Sequence, residues 1–176
     1  LTPAALADAV IAAVCADHAA LSADAESEVI EGEPAWDHTG RLTMPWRSGR
    51  VAVWRWDEEG YQGGAHGSTS SRHAVIDLGS GRRLHLDDVV APSQRPLLAL
   101  KMRVIANADA EVRDCLFDEA EVGPVENFLF RADALVFWFD PYEIAAYACG
   151  PIAIAVPWAQ LGGLLREGVG ALAVGD

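Results

Sequence analysis

One stretch constrains this chain more than any other: Phe137-Trp138-Phe139-Asp140-Pro141-Tyr142-Glu143-Ile144-Ala145-Ala146-Tyr147-Ala148-Cys149-Gly150-Pro151-Ile152-Ala153-Ile154-Ala155-Val156-Pro157. Ala134 to Phe139 is apolar and rich in aromatics, which reads as a strand. Asp140-Pro141 stops it, because proline supplies no N–H and turns the residue before it away from helix. Gly150-Pro151 is a second turn signal. Ile152 to Val156 is a second strand, with Ile152, Ile154 and Val156 on one face and only alanine on the other. Two buried strands therefore hold up a loop that carries Tyr142, Glu143 and Tyr147. Two tyrosines and a carboxylate are more than a connection needs. The plain alternative is that both tyrosines pack and bond their hydroxyls locally.

The segments around this stretch set the fold class. Thr2-Pro3 is a helix start, and Leu6, Val10 with Ile11, and Val14 follow at four-residue spacing, so a helix is expected to about His18 or Leu21. Ser22 to Glu33 is an acidic loop leading towards an edge strand. Trp36 to Gly40 reads as a turn. Arg41 to Arg47 reads as a strand placed at an edge or bulge by Pro45. Ser48-Gly49 turns into a strand from Val51 to Trp56, so Trp46, Trp54 and Trp56 fall in one hairpin, where core packing is expected. In Tyr61 to Ser71, Gly63 and Gly64 allow positive φ and close backbone approach. His66 beside them is open to three roles: fixing the turn by a hydrogen bond, contacting a partner, or acting as base or metal ligand.

His73–Asp77 and Arg83–Leu86 read as strands joined at Gly79 to Gly81. Asp87-Asp88 after them reads as a cap to a following turn rather than a metal site. Ser93 opens a helix over 94–108, with Leu97, Leu98, Lys101, Met102 and Ile105 as its stripe. A shorter helical piece lies within 110–116, a strand at 127–130, and a helix over 158–166 on Leu161, Leu164 and Leu165. Helices bracket hairpins and no β–α–β alternation occurs. The fold class is therefore α+β, with a mostly antiparallel sheet built from hairpins and helices packed on one face. The strands are expected to share one sheet. Residues 1–50 form a helix and edge strands leading into a domain over 51–176.

Charge and cysteines narrow the function. Among 176 residues Asp plus Glu is 26 and Lys plus Arg is 13, a net charge of −13. Nucleic acid is disfavoured, because phosphate binding needs a basic footprint, and a cationic partner would be steered in. Residues 1–40 carry acids and no Lys or Arg, and Asp118, Glu119, Glu121 and Glu126 form a second acidic run. Cys15, Cys115 and Cys149 show no metal-binding spacing. One disulfide is possible in an oxidising compartment, with the pair undetermined, and a free buried thiol is the expectation for each. No 18-residue apolar run spans a membrane. Leu1 reads as a cut start, with a signal peptide or lipid anchor removed.

Catalytic patterns are missing from the sequence: no Gly-x-Ser-x-Gly elbow and no His-Glu-x-x-His. His66 and Glu143 could pair as a general base only if their loops met. The chain is expected to be no enzyme, with no catalytic residue, cofactor or metal.

The order Tyr61-x-Gly63-Gly64-Ala65-His66-Gly67, then Asp77-Leu78-x-x-Gly81 with Leu84-x-Leu86-Asp87-Asp88, then Phe139-x-Pro141-Tyr142-Glu143-Ile144-Ala145-x-Tyr147-Ala148-x-Gly150-Pro151-Ile152, resembles the RsiV C-terminal domain family (DUF3298) over about Val51 to Leu165. The sequence departs from it at Ala146, where Pro is usual, and at Cys149, where a small residue is. The resemblance implies an α+β domain of extracytoplasmic, cell-envelope proteins that binds rather than catalyses. In lysozyme-sensing members the partner is a lysozyme, a cationic protein, which suits the charge here. The expected site is a partner-binding surface of Pro141, Tyr142, Glu143, Ile144, Tyr147, Gly63, Gly64 and His66. Its partner is a cationic cell-wall hydrolase of the lysozyme or muramidase type, met as sensor, inhibitor or immunity protein. The other reading is a module that holds peptidoglycan or another glycan.

Overall fold

The computed structural model describes residues 37–61, 63 and 65–173. The helix and acidic loop expected before residue 37 lie outside these residues, as does Gly64. Among the described residues, seven strands form two antiparallel sheets. The first has the order β1 (Asp37–Arg47), β2 (Val51–Tyr61), β3 (Ser68–Asp77), β4 (Arg82–Leu84). The second is β5 (Phe128–Phe130), β6 (Ala134–Phe139), β7 (Ile152–Pro157). Helices α1 (Leu86–Val89), α2 (Arg95–Ala108) and α3 (Ala110–Cys115) lie between the sheets in sequence, and α4 (Val169–Ala173) follows β7. The architecture is α+β, as the hairpin pattern implies.

The expected single sheet is divided in two, and the place of division has a physical cause. β4 covers only the Val75–Asp77 end of β3. Further along, side chains replace a neighbouring strand. Asn127 Nδ2 donates to the Ser71 carbonyl at 2.7 Å, while Asn127 Oδ1 accepts from the His73 N–H at 3.0 Å. Asp140 Oδ1 accepts from the Ser71 N–H at 2.9 Å. These groups satisfy the backbone of β3 at the junction, so the second sheet abuts the first without extending its ladder.

The β1–β2 hairpin is longer than its apolar core suggests. The segment Asp37 to Gly40, expected as a turn, is strand paired to Glu58 to Tyr61. The register slips between Thr43 and Trp46, which accommodates Pro45 and its missing N–H. Trp46 packs on the core, and Trp54 and Trp56 are half-buried. A Cβ at Gly40 would lie 2.2 Å from the Trp56 ring, so the indole takes the space a side chain would need.

The core joins Val51, Val53, Val75, Leu84 and Leu86 to Phe128, Phe130, Leu135, Phe137, Phe139, Ile152, Ile154 and Val156. Helix α2 packs on β7 through Leu98, Met102 and Ala106. Leu97, expected in this stripe, is instead 48% exposed. Two further expectations are corrected. The strand at Arg83 ends at Leu84, because His85 and Asp88 form a capping box that starts α1. The helix over 158–166 is a single 3₁₀ turn, Trp158–Gln160, because Gly162-Gly163 follows and Gly163 has φ +73°. Leu161 and Leu164 are buried nonetheless.

Candidate functional site

β6 stops at Phe139, before Asp140-Pro141, and the chain enters a loop closed by its own polar groups. The Glu143 N–H donates to the Asp140 carbonyl at 3.1 Å, and Glu143 Oε2 accepts from the Asp140 N–H at 2.7 Å. The Tyr142 N–H donates to the Ala145 carbonyl at 3.1 Å. Tyr142 pays for this tight path with φ +71°, the left-handed region where a side chain is disfavoured by about 1 kcal/mol or more. Such a backbone persists only where its surroundings over-determine it.

The far side of the loop is anchored to the end of α3. Ile144 and Ala145 are buried. The Phe117 N–H donates to the Ile144 carbonyl at 3.0 Å, and Leu116 bridges to Ala145. Residues Tyr147–Cys149 form a 3₁₀ turn. Cys149 is disulfide-bonded to Cys115, the last residue of α3. The expectation of free thiols is thus corrected at these two positions. Two half-exposed cysteines 34 residues apart are brought together by the α3-to-loop pairing, which the spacing alone did not reveal.

The glycine turn reaches the same place. Gly63 has φ +91°, and a Cβ at Gly67 would lie 3.0 Å from the Gly60 carbonyl oxygen. The turn carries His66 to the tyrosines. His66 Nδ1 lies 2.8 Å from the Gly67 carbonyl, which can only accept, so Nδ1 carries the proton. Nε2, on the other side of the ring, lies within hydrogen-bond distance of the Tyr142 hydroxyl, at 3.1 Å. The imidazole also stacks on Tyr147, with centroids 4.0 Å apart and planes 18° apart. Tyr142 and Tyr147 lie 5.6 Å apart. Of the expected site residues, then, His66, Tyr142 and Tyr147 form one aromatic cluster. Tyr142 is 58% exposed. Pro141 and Gly63 flank the cluster, half-buried. Glu143 is exposed beside it but spends one carboxylate oxygen on the turn and makes no pair with His66. Ile144 is 3% exposed and supports the loop from beneath.

The same pairing brings part of the second acidic run to the site. Phe117, 44% exposed, is followed by exposed Asp118, Glu119 and Glu121. Glu126 belongs elsewhere, accepting from the Leu86 N–H at 3.1 Å.

Beneath the loop lies a polar network that the sequence reading missed. On β2, the inward positions after Val51 and Val53 are Arg55 and Asp57, and they sit opposite His73 and Ser71 on β3. Asp57 Oδ1 receives Arg55 Nε and the Ser71 hydroxyl, both at 2.6 Å. The Arg55 guanidinium lies 4.9 Å over the Trp138 ring, and Trp138 Nε1 donates to Asp140 Oδ1 at 3.0 Å. His73 Nδ1 lies 2.9 Å from Asn127 Oδ1. Burial holds the His73 imidazole below the usual histidine value, reinforced by Arg55 and opposed by Asn127, Asp57 and Asp140. The available signal was charge at inward strand positions directly after an apolar pair. Among the described residues, no three His, Cys, Asp or Glu side chains gather where a metal ion could be held.

Comparison with known proteins finds a family match over part of the chain. Residues 98–159, which run from within α2 through α3, β5, β6 and the loop to β7, match the family described as "Protein of unknown function (DUF3298)". The match covers less than half of the chain, and over those residues the chain is similar to that family. It is 29% identical over 118 residues to a protein named peptidoglycan-N-acetylmuramic acid deacetylase PdaC, from Bacillus subtilis. That alignment takes 63% of this chain and 25% of the deacetylase, so the chain spans about a quarter of that relative. Crystal structures of two DUF3298 proteins share the fold. One, from Bacteroides fragilis, has TM-score 0.72 at 22% identity, covering 86% of this chain and 64% of the other. The second, from Pseudomonas aeruginosa, has TM-score 0.67 at 17% identity, covering 79% and 66%.

Proposed function

We propose that this chain is an extracytoplasmic binding domain that recognises a cationic cell-wall hydrolase of the lysozyme or muramidase type, as sensor, inhibitor or immunity protein. The observation that carries the reading is the convergence of two distant loops on one exposed aromatic cluster. Tyr142 stands at φ +71° with its hydroxyl in hydrogen-bond contact with His66, and Tyr147 stacks on the same imidazole. Aromatic side chains fixed in advance lose little entropy on contact and are common carriers of binding energy. Exposed Glu143, Asp118, Glu119 and Glu121 lie on segments bonded to the cluster, which suits a positively charged partner.

The reading is of a binder and not an enzyme. The two carboxylates of the loop, Asp140 and Glu143, are engaged in fixing the turn and the junction between sheets. An extracytoplasmic setting is supported by the Cys115–Cys149 disulfide and by the deacetylase relative, whose name points to peptidoglycan. That relative also favours the second reading, a module that holds peptidoglycan by stacking sugar rings on Tyr142. Surface-binding kinetics against a panel of basic lysozymes and muramidases, with insoluble peptidoglycan in parallel, separates the two. Hydrolase binding whose association slows with salt supports the first. Retention on peptidoglycan alone, indifferent to salt, replaces it with the second.

A further inference from the structure

We infer that the Cys115–Cys149 disulfide makes the recognition surface dependent on oxidation, an inference that rests on the reading above. The bond joins the last residue of α3 to the last residue of the 3₁₀ turn that carries Tyr147. Ile144 and Ala145 are held to the α3 side by backbone pairing with Phe117 and Leu116. Beyond Ala145 that pairing ends. From Ala146 to Gly150 the backbone bonds are local, Cys149 N–H to Ala146 and Gly150 N–H to Tyr147. The disulfide is the covalent tie of this half of the loop to the rest of the domain, two residues from Tyr147. Tyr147 in turn stacks on His66, and His66 Nε2 meets the Tyr142 hydroxyl. One bond thus holds the aromatic half of the surface beside the half formed by Phe117 and the carboxylates after it.

Neither cysteine is buried, so a small dithiol can approach. Reduction breaks the S–S bond and gives two thiols, taking two electrons and two protons from the dithiol, which closes to its own disulfide. The released turn then samples positions in which Tyr147 no longer lies under His66. The surface is complete in an oxidising compartment and incomplete in a reducing one.

The test uses the full chain carrying Cys15→Ser, so that no third thiol exchanges. Binding kinetics to a lysozyme recognised by the oxidised protein are measured before and after treatment with dithiothreitol, and for the Cys115→Ser/Cys149→Ser double variant. Far-ultraviolet circular dichroism on each sample checks that it is folded. The expected result is a dissociation rate at least 10-fold higher after reduction, matched by the double variant with or without dithiothreitol. Unchanged kinetics in folded, reduced protein would overturn the inference. Hydrogen exchange supplies a readout that needs no partner: amides of 146–150 should exchange at least 10-fold faster on reduction, while those of β6 and β7 hold. If no hydrolase binds but this local acceleration appears, the proposed partner is wrong and the clamp stands. Equal acceleration throughout the sheets, or none, removes the clamp itself.

Discussion

Replacing Asp140 with alanine should be among the most damaging substitutions outside the apolar core. Its Oδ1 accepts from the Ser71 N–H at 2.9 Å and from Trp138 Nε1 at 3.0 Å, and Ser71 is only 7% exposed. Removing the acceptor leaves both donors without it, where water reaches Ser71 poorly. A buried donor left unsatisfied costs about 1–3 kcal/mol, and the partial exposure of Trp138 reduces the second contribution, so a loss of roughly 2–4 kcal/mol is expected. Asparagine keeps one oxygen at the same place and should cost less than half of that. Equilibrium urea unfolding, followed by tryptophan fluorescence, reads the difference directly. With a slope of about 2 kcal/mol per molar urea, the alanine midpoint should fall by roughly 1–2 M with the slope unchanged. An alanine variant within ~0.5 kcal/mol of wild type would refute the reasoning. So would an asparagine variant as damaged as alanine, since that would assign the effect to charge instead of the acceptor.

His73 should make the fold acid-sensitive. Its folded-state pKa lies below the unfolded one, so the unfolded chain binds the extra proton first; the stability is complete above the ordinary value near 6.5 and falls as pH drops below it. Thermal unfolding between pH 7.5 and 5 should show this fall, and His73→Gln should flatten it; an identical slope in the variant would exclude His73 as the source. Breaking the 34-residue link with Cys115→Ser/Cys149→Ser should destabilise the protein by about 3–4 kcal/mol on the loop-entropy relation, measured by the same urea titration. A change below ~1 kcal/mol would mean that the unlinked chain is already confined there.

The parts legible in sequence were those fixed by short-range chemistry. Asp140-Pro141 and Gly150-Pro151 marked the ends of β6 and the start of β7, and the alternation of isoleucine and alanine gave the buried face of β7. The residues of the loop and of the glycine turn were each visible as candidates. Their meeting was not, because His66 and Tyr142 are 76 positions apart and only the tertiary arrangement of the two sheets brings them together. The inter-sheet network was hidden for a related reason: Arg55 opposite His73, and Asp57 opposite Ser71, are pairs of register, which no single strand displays. The division into two sheets rests on two side chains, Asn127 and Asp140, standing in for backbone. The leucines of 158–166 have helical spacing, yet Gly162-Gly163 lets the chain turn while Leu161 and Leu164 remain buried.

The central claim is that Tyr142 is held in a costly conformation for the sake of recognition, and Tyr142→Gly tests it with two readouts on one protein. Glycine accepts φ +71° without the penalty of a side chain, while the ring and its hydroxyl are lost. The account expects the urea midpoint to hold or rise, by up to about 1 kcal/mol of stability, while the dissociation rate from a bound lysozyme rises by at least 10-fold. A variant that loses stability and binds as wild type would contradict it, showing the ring to be packing and the recognition surface to lie elsewhere.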